Sequence, residues 1–532
     1  MCLECLLGHD SHSADDATVS RVLSAITQDE AMEFAPVGTY PPSGIDVLIV
    51  GTGFGGLTAA LELTRKGHSV RILERHNEPD ISGTRKSESN HSPLLTTDIG
   101  DMYFMGLSAT RFFRHWPEMK KRYDEISLHN AWIETYKHDG ALMLPPQKVS
   151  DRLHAAGLDP GNAPGAFQMR PLVYKMLLHQ VEKLGIDINY SCRVVEYFEN
   201  KGERGGVELE DGSKLETDLV VAADGIGSKG NKLVGGEIRA RSSGRAMWRA
   251  VMPVQCLDAD PEVKKFFDLK DGVDPIVRTY FAPGSYALTL TREDVVVWII
   301  NHDVTGSEAE SWNNIIDAEE VLKAMNNTPD GVAPWSPIFQ RLVKCTPPKT
   351  IINFELWWRD PQLQWASPSS RVVQIGDSAH SFLPSSGNGA TQAFEDAVSL
   401  ASCLQLGGRE NIEQAVEVHK ALRFTRTACA QKIGFSNAEL LQKTDWAQIK
   451  IDPRKSSPRL PKWIWEHDAE RYAHENYYKC VEATRDGIRL EDDKRIPPNY
   501  PKGYKFEPWS IDDIMRDLTE GREVDLGAGD WF

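Results

Sequence analysis

The sequence of 532 residues has a deficit of positive charge, few cysteines and no long apolar run. Its 60 lysine and arginine residues are outnumbered by 77 aspartate and glutamate residues, and the formal net charge of −17 argues against nucleic acids and anionic membranes as partners. No run approaches the roughly 20 apolar residues that cross a bilayer, and the N-terminus lacks the basic and apolar regions of a signal peptide. We therefore expect a cytoplasmic protein without an integral membrane segment that binds small molecules.

The 8 cysteines are scattered over the whole length, which predicts reduced thiols rather than a disulfide framework. Cys2, Cys5, His9 and His12 could mimic a zinc cluster, but the pattern has no second half, and we predict no metal site. The hydrophobic fraction of 41% and the charged fraction of 26% are typical of globular proteins. The length allows about two or three domains with a sizeable core.

The most informative segment is IDVLIVGTGFGGLTAALELTRKGHSVRILER, residues 45–75. A buried-strand pattern precedes Gly51, Gly53 and Gly56, which stand at GxGxxG spacing, and a helix and a second strand follow. The first glycine allows a tight turn, the second lets the backbone approach a pyrophosphate, and the third lets the helix pack on the strand. The second strand delivers Glu74 about 20 residues later, where a carboxylate accepts hydrogen bonds from a ribose. The segment predicts a dinucleotide-binding βαβ unit, and an ordinary βαβ turn without a ligand is the alternative.

A second segment, RVVQIGDSAHSFLPSSGNGATQAFEDA at residues 371–397, indicates that the dinucleotide is FAD rather than NAD. Its predicted strand leads to Asp377, whose carboxylate can bind a ribityl hydroxyl. Gly387 and Gly389 then interrupt the chain before a helix predicted to begin near Ala390. The free N–H groups and positive dipole end of that helix would stabilise the negative charge of a reduced flavin.

These motifs resemble those of the class A flavoprotein monooxygenases, and within them the salicylate-hydroxylase-like enzymes of fungal natural-product pathways. The resemblance implies an α/β fold, in which a Rossmann-like, GR2-type FAD-binding domain carries an inserted α+β substrate domain. It also implies that NADPH or NADH reduces the flavin and that O2 then forms a C4a-hydroperoxide, which hydroxylates an electron-rich aromatic molecule. The expected partners are O2 and a small phenolic or polyketide substrate, and the expected setting is secondary-metabolite biosynthesis.

By motif position, the resemblance assigns FAD contacts to the three glycines of the first segment, to Glu74 and Asp377, and to the backbone near Gly389. Arg170, in FQMRPLVYKML, matches the family's arginine at the start of a helix; a solvated surface arginine is the alternative. Asp224, in DLVVAADGIGS, belongs to the segment that supports the pyrophosphate and the nicotinamide cofactor. This segment departs from the family pattern at Asn231, where an arginine is usual, so the nicotinamide cofactor is less well supported than FAD.

The protein is expected to position the substrate rather than to supply a nucleophile, because the cofactor carries the reactive group. Pro384 is placed by the resemblance beside the face of the flavin that reacts with oxygen. Arg249 and Tyr280 are candidates for orienting a phenol or phenolate, and an arginine would favour the phenolate by lowering its pKa. Further candidates are Tyr286 and the Trp-Trp-Arg cluster at 357–359. For each of these side chains, a place in the core or on the surface is the alternative.

Changes of pattern along the chain predict five regions. Residues 1–43 form a flexible lead-in, residues 44–234 begin the FAD-binding domain, and residues 235–354 form the substrate domain. Residues 355–435 complete the FAD-binding domain with its flavin half. Residues 436–532 form a C-terminal extension that packs along the surface as an extended tail.

Local patterns support two of these regions. The runs AMWRAVMPV, PIVRTYFAP and DVVVWII are rich in β-branched and aromatic residues, which favours a β-sheet in the substrate domain. In the extension, SIDDIMRDLTEG predicts one helix that begins with a capping-box serine at Ser510.

Three alternatives to a hydroxylase remain. An epoxidase would share the oxygen chemistry and differ only in the substrate domain. A flavin halogenase needs a WxWxIP motif, whereas the WIW at residues 463–465 is followed by Glu466 and His467. A flavin-binding redox regulator could act on a partner through residues 436–532 without turnover. Steady NAD(P)H consumption with a product that has gained one oxygen atom would exclude this last alternative.

Overall fold

The structure is a computed structural model that describes residues 36–79, 102–155, 157–158, 163–200, 203–235, 240–304, 314–329, 331–442, 451, 458–520 and 522–532. The cysteine and histidine pattern near the N-terminus, and most of the predicted lead-in, lie outside these residues. Within the described ranges, no helix combines the length and the apolar character that crossing a bilayer requires.

The β-strands are β1 (Asp46–Val50), β2 (Ser69–Leu73), β3 (Met102–Gly106), β4 (Trp132–Lys137), β5 (Leu142–Lys148), β6 (Gly165–Met169), β7 (Asp187–Asn189), β8 (Val194–Asn200), β9 (Arg204–Leu209), β10 (Lys214–Thr217), β11 (Leu219–Ala222), β12 (Arg241–Pro253), β13 (Ile276–Ala282), β14 (Ser285–Thr291), β15 (Val295–Asp303), β16 (Ile315–Ile316), β17 (Ile351–Trp358) and β18 (Val372–Gln374). The α-helices are α1 (Phe54–Arg65), α2 (Leu107–Thr110), α3 (Pro117–Ile126), α4 (Val149–Ala155), α5 (Arg170–Lys183), α6 (Pro261–Phe266), α7 (Ala318–Asn326), α8 (Pro337–Lys344), α9 (Gly389–Gly407), α10 (Ile412–Gln442), α11 (Lys462–Trp465), α12 (Ala469–Arg485) and α13 (Ile511–Thr519).

Parallel strands form the sheet that carries the dinucleotide motif, in the order β18-β11-β1-β2-β7. Strand β1 is central, and Val47 to Val50 are buried because helices or other strands cover both faces of the sheet. The predicted βαβ unit is confirmed, since β1 leads through α1 to β2. The neighbouring strands β1, β11 and β18 end at Val50, Ala222 and Gln374, a few residues before Gly51, Asp224 and Asp377 respectively. Because parallel strands end at the same edge of a sheet, the fold brings these distant motifs together.

The substrate domain is built around a larger, mostly antiparallel sheet in the order β16-β17-β12-β15-β14-β13-β4-β5. The predicted sheet is present, but it extends beyond residues 235–354. Strands β4 and β5 come from residues 132–148, within the span predicted as the FAD-binding domain, and β17 continues to Trp358. Strand β4 pairs in parallel with β13, and no local sequence pattern specifies a partner so far along the chain.

The two faces of this larger sheet have different neighbours. On the outer face, Trp298 and Tyr280 are buried against α7 and α8. On the inner face, Val251 and Val297 share a buried cluster with Met169, which directly precedes α5 of the FAD-binding domain. Because successive side chains of a strand point to opposite faces, odd and even positions along β12 and β15 meet different surroundings.

The C-terminal extension is not a surface tail, which corrects the expectation for residues 436–532. Helix α12 places Ala473, Tyr477 and Cys480 in the main core of the FAD-binding domain. The sequence conceals this helix because its buried positions hold alanine, cysteine and tyrosine among many charged residues. The other predicted helix of the extension is confirmed as α13, and Ser510 forms the predicted capping box.

Candidate active site

A cleft of about 610 Å³ opens at the ends of β1, β11 and β18. The residues predicted to contact FAD that line this cleft are Gly51, Gly53, Glu74, Arg170, Asp224, Asp377, Gly389 and Ala390. Gly56 and Gly387 lie outside the lining and shape the backbone beside it. The structure therefore gathers the three motifs around one space, and the role of each residue stays a prediction.

The glycines of the first motif differ in what a side chain would meet. Gly51 has a φ of +102°, and a Cβ there would lie 2.6 Å from the carbonyl oxygen of Ala223. A Cβ on Gly56 would lie 2.1 Å from the carbonyl oxygen of Gly51, so this glycine lets α1 approach β1. A Cβ on Gly53 would meet no atom within 4 Å. Open space at the N-terminus of α1 is what a pyrophosphate requires.

Glu74, at the end of β2, is held by groups of the chain itself. Its Oε2 accepts hydrogen bonds from the backbone N–H of Thr52 at 3.0 Å and from the hydroxyl of Thr52 at 2.7 Å. Its Oε1 accepts from the backbone N–H of His76 at 3.0 Å. Tyr174 in turn donates to the Thr52 hydroxyl at 3.2 Å. The carboxylate is therefore oriented at the rim of the cleft, and its remaining lone pairs can accept from a ribose hydroxyl.

Two aspartates in the cleft have acceptor atoms available for a ligand. Asp377 is exposed to the cleft, and the surrounding protein raises the pKa of its carboxyl by desolvation, although nearby cations partly offset this effect. Tyr197 donates a hydrogen bond to Oδ2 of Asp224 at 2.8 Å. The buried Oδ1 of Asp224 has no hydrogen-bond partner within the described parts of the chain, and burial raises the pKa of this carboxyl. A ligand with hydroxyl groups would satisfy both side chains.

A buried carboxylate behind the cleft holds the turn that carries Asp377. Oδ2 of Asp396, on α9, accepts hydrogen bonds from the Gly376 N–H at 2.9 Å and from the His380 ring at 2.6 Å. Its Oδ1 accepts from Nε of Arg423 at 2.8 Å. Burial alone would raise the pKa of Asp396, but its contacts with His380 and Arg423 hold this pKa well below its ordinary value. Sequence reasoning missed Asp396, and the available signal was an acidic pair on an otherwise apolar helix.

The same network connects the flavin helix α9 to the C-terminal extension. Glu395 accepts hydrogen bonds from Arg423 at 2.5 Å and from Arg426 at 2.7 Å, and all three side chains are buried. Arg426 also donates to the carbonyl oxygens of Trp463 at 2.5 Å and Asn499 at 2.7 Å. The extension is therefore tied to the helix whose N-terminus faces the cleft.

Arg170 begins α5 and lines the cleft, and its role as a cofactor contact stays a prediction. Its guanidinium carbon lies 5.4 Å from the centroid of the Phe54 ring, at the start of α1. The half-buried Arg170 guanidinium therefore adds positive charge to the cleft, close to the N-terminus of α1.

Arg359 has a structural environment that contradicts its prediction as a substrate contact. Its side chain is buried and donates to the carbonyl oxygens of Ser378 at 2.7 Å and Ile226 at 2.5 Å. Its backbone N–H donates to the hydroxyl of Ser381 at 2.7 Å. Arg359 therefore links the segment after β11 to the flavin loop that follows β18.

The inner face of the larger sheet carries Arg249 in its centre. A row of directly paired residues crosses the strands, in the order Ile352, Arg249, Ile299 and Leu288. Arg249 is buried, and its neighbours in this row are apolar. Tyr286 also lies on this side, where burial raises the pKa of its hydroxyl to about 12.

Tyr280 does not share this face, which corrects its prediction as a substrate-orienting residue. Its side chain is 0% exposed, stacks on Tyr136 with ring centroids 5.3 Å apart, and packs against Phe339 of α8. The alternation of side chains along β13 turns Tyr280 to the outer face. Tyr280 is therefore a core residue of the substrate domain.

Pro384 is exposed on a loop that α10 holds in place. The hydroxyl of Ser385 donates to the carbonyl oxygen of Gly434 at 2.9 Å. A Cβ on Gly434 would lie 2.9 Å from Cβ of Ser386, so the loop contacts the helix closely. The preceding Leu383 shares a buried cluster with residues of the inner face. Leu383 therefore connects this loop to the inner face. The place of Pro384 beside the oxygen-reacting face of the flavin stays a prediction.

Comparisons with known proteins agree with this arrangement. A family model described as FAD dependent oxidoreductase matches residues 46–286. The chain is 38% identical to the FAD-dependent monooxygenase fsr3 of Gibberella fujikuroi, over 92% of this chain and 90% of the relative. A crystal structure of CtdE in complex with FAD and substrate 4 has a TM-score of 0.70 at 27% identity and covers 83% of this chain and 100% of that chain. A salicylate hydroxylase substrate complex has a TM-score of 0.60 at 20% identity, covers 81% of this chain and 98% of that chain, and supports the fold alone. These likenesses confirm the predicted α/β fold with a Rossmann-like domain and an added domain.

Proposed function

The chain belongs to the FAD-dependent monooxygenases, and from this membership we propose that it hydroxylates a small, electron-rich aromatic molecule with NADPH or NADH and O2. We further propose that this reaction belongs to secondary-metabolite biosynthesis, because the curated relatives at about this similarity are fungal monooxygenases. The observation that carries the substrate class is Arg249, a cation buried in an otherwise apolar row of the inner face.

The cleft suits FAD in shape and in chemistry. The open space at Gly53 and the N-terminus of α1 would hold the pyrophosphate, and Glu74 would accept from the ribose. Asp377 would accept from a ribityl hydroxyl, and the N-terminus of α9 at Gly389 would face the pyrimidine edge of the flavin. When bound, FAD supplies electron transfer from the nicotinamide and the activation of O2. The residues of the chain bind it, orient it and limit access of water.

Arg249 would bind the phenol oxygen and favour its ionised form. A guanidinium stays charged at all ordinary pH values, and its attraction for a phenolate is stronger in a site from which water is excluded. This attraction lowers the pKa of the bound phenol, and the phenolate ring donates electrons better than the phenol ring. Tyr286 would support the same oxygen as a hydrogen-bond donor, because a tyrosine hydroxyl is protonated at neutral pH and burial raises its pKa further.

The apolar neighbours of Arg249 would provide the surface for the ring. Ile352 and Ile299 lie directly beside it on the adjacent strands, and both are only half-buried. An aromatic ring placed against them would bury apolar area while its oxygen reaches the guanidinium. Pro384, on the facing loop, would approach the ring from the side of the flavin.

The test uses purified holoenzyme with NADPH, ¹⁸O-labelled O2 and a panel of phenols, with the products analysed by mass spectrometry. The expected result is substrate-stimulated NADPH oxidation and a product that carries one labelled oxygen atom. Arg249→Ala should retain its flavin but lose about a hundredfold or more in coupled turnover, as when a preorganised donor is removed. Arg341→Ala is the matched control, because this arginine lies on α8 in partly exposed ion pairs with Asp260 and Glu262.

Two outcomes would contradict the proposal. Flavin binding without any substrate-stimulated NADPH oxidation would favour the redox regulator. Normal coupling in Arg249→Ala would remove Arg249 from the substrate site and, with it, the argument for a phenolic substrate.

A further inference from the structure

Helix α13 of the C-terminal extension presents one apolar face. Ile511, Ile514 and Leu518 are spaced three and four residues apart and so lie on the same side of the helix. Ile511 and Ile514 are buried and Leu518 is half-buried, whereas Met515 is 41% exposed. The capping box of Ser510 fixes where the helix begins. The apolar face must therefore rest on another part of the molecule.

That part is the inner face of the larger sheet together with the flavin loop. Ile511 and Ile514 share a buried cluster with Met247 of β12 and with Leu383, the neighbour of Pro384. The half-buried side chains that pack against the same cluster are Tyr286, Ile299, Phe354, Trp509, Leu518 and Leu526. Ile299 is paired directly with Arg249 across β15 and β12. Helix α13 therefore packs against the strands that carry the proposed substrate-binding arginine.

Polar contacts fix the beginning of α13 to the edge of this sheet. Oδ1 of Asp360 accepts hydrogen bonds from the Ile511 N–H at 2.8 Å and from Nε1 of Trp358 at 2.7 Å. Arg241, at the start of β12, pairs with Asp360 at 3.0 Å and with Asp512 of α13 at 2.7 Å. These contacts attach the helix to the start of β12 through Arg241, and to the end of β17 through Trp358 and the adjoining Asp360.

The chain beyond α13 is attached to helix α10 on the other side of the cluster. The Val524 N–H donates to Oε2 of Glu439 at 3.0 Å, and Nζ of Lys432 donates to the carbonyl oxygen of Asp525 at 3.2 Å. Val524 is itself a member of the buried cluster. Because α10 also holds the loop of Pro384, the extension, the loop and the sheet form one continuous surface.

We propose that α13 forms the end wall of the substrate chamber and that Leu518 limits the length of the ring system that the enzyme accepts. This inference rests on the proposed function, since it assumes that the substrate lies on the inner face beside Arg249. Ile511 and Ile514 are buried and Leu518 is half-buried, so Leu518 is the side chain of the apolar face that keeps surface for contact with a ligand. The substrate class is then a planar phenol whose size is set by a residue of the C-terminal extension.

The experiment compares Leu518→Phe and Leu518→Ala with the wild-type holoenzyme. The probes are phenol, 2-naphthol and 2-hydroxyanthracene, which contain one, two and three fused rings. Binding is measured from the change in the absorption spectrum of oxidised flavin, and coupled turnover is measured separately. Leu518→Phe should weaken binding of the largest probe accepted by the wild type by about tenfold or more, the scale of a small change in an apolar pocket, and leave phenol within about twofold. Leu518→Ala should strengthen binding of the largest probe relative to phenol.

Met515→Ala, on the exposed side of the same helix, is the matched control and should leave all three affinities unchanged. Equal changes for all three probes, or no change in either Leu518 variant, would overturn the inference. If the affinities shift with ring size but no probe is oxygenated, the wall is supported and the proposed function is contradicted. If oxygenation occurs and the variants keep the wild-type preference, only the wall is contradicted. Failure of the wild type to bind any of the probes would overturn both.

Discussion

The substitution Gly53→Ala should separate cofactor binding from folding. Gly53 has φ and ψ values of −64° and 178°, which alanine adopts without strain, and its Cβ would meet no atom of the protein within 4 Å. Replacing glycine by alanine at such a position stabilises a protein by about 0.4–1 kcal/mol, because the unfolded chain loses conformational freedom. We therefore expect the apoprotein of the variant to be as stable as the wild type or slightly more stable.

The cost should appear only when FAD binds. The added methyl group projects into the open space at the N-terminus of α1, where the backbone would otherwise approach a phosphate oxygen. A charge-assisted hydrogen bond contributes about 1.5–3 kcal/mol, and each 1.4 kcal/mol is a factor of ten in affinity. Losing one such bond predicts that FAD binds about ten- to a hundredfold more weakly.

The assay titrates FAD into apoprotein and follows the quenching of flavin fluorescence, while urea unfolding of the apoprotein measures stability. Gly56→Ala is the matched comparison, because its Cβ would lie 2.1 Å from the carbonyl oxygen of Gly51. That variant should lose stability in the absence of FAD as well, since backbone must move to relieve the contact. If Gly53→Ala bound FAD with wild-type affinity, the position of the pyrophosphate beside α1 would be refuted.

Two further predictions concern buried polar groups. Asp396→Asn should lower the free energy of unfolding by about 3–5 kcal/mol, because it leaves Arg423 without one of its ionic partners and loosens the turn at Gly376. Urea unfolding and the flavin-to-protein ratio measure both effects, and wild-type values of the two would contradict the role of Asp396. Burial lowers the pKa of His68 to about 4, whereas the unfolded chain takes up this proton near pH 6.5. Protonation therefore favours the unfolded state as the pH falls. The contribution of neutral His68 to the free energy of unfolding is complete above pH 6.5 and is lost toward pH 4. The wild type should therefore lose about 2 kcal/mol at pH 5 that His68→Gln does not lose, whereas replacing the exposed His154 should not change the pH dependence.

The parts of the fold that the sequence predicted are those encoded by local patterns. The strand, glycines, helix and acid of residues 45–75 are adjacent in the chain, and so are the capping serine and apolar face of α13. The cleft could also be predicted, because parallel strands end at the same edge of a sheet and each of these strands leads into a motif. A local sequence pattern is enough to predict the structure of a segment when the segment packs against a part of the chain that is adjacent in sequence.

The parts that could not be predicted depend on distant partners. Both faces of the larger sheet are covered, so β12 and β13 lack the alternation of apolar and polar residues that would show which side faces the flavin. Arg249 and Tyr280 were equally good candidates for that reason, and only the structure separates them. Asp396 was missed because its partners His380 and Arg423 lie on other elements, and nothing in the sequence shows that they converge.

The buried charges behind α9 set geometry rather than the electrostatic potential of the cleft. Glu395 and Asp396 carry two negative charges, and Arg423 and Arg426 carry two positive charges, so these four side chains balance one another. The field at the flavin edge is then set by groups that line the cleft, which include the positive N-terminus of α9, Arg170 and the carboxyl of Asp377. The cluster instead fixes the direction of that helix and, through Arg426, the position of the extension that carries α13. Substitutions in the cluster should therefore affect flavin retention and substrate size together, whereas substitutions of Leu518 should affect substrate size alone.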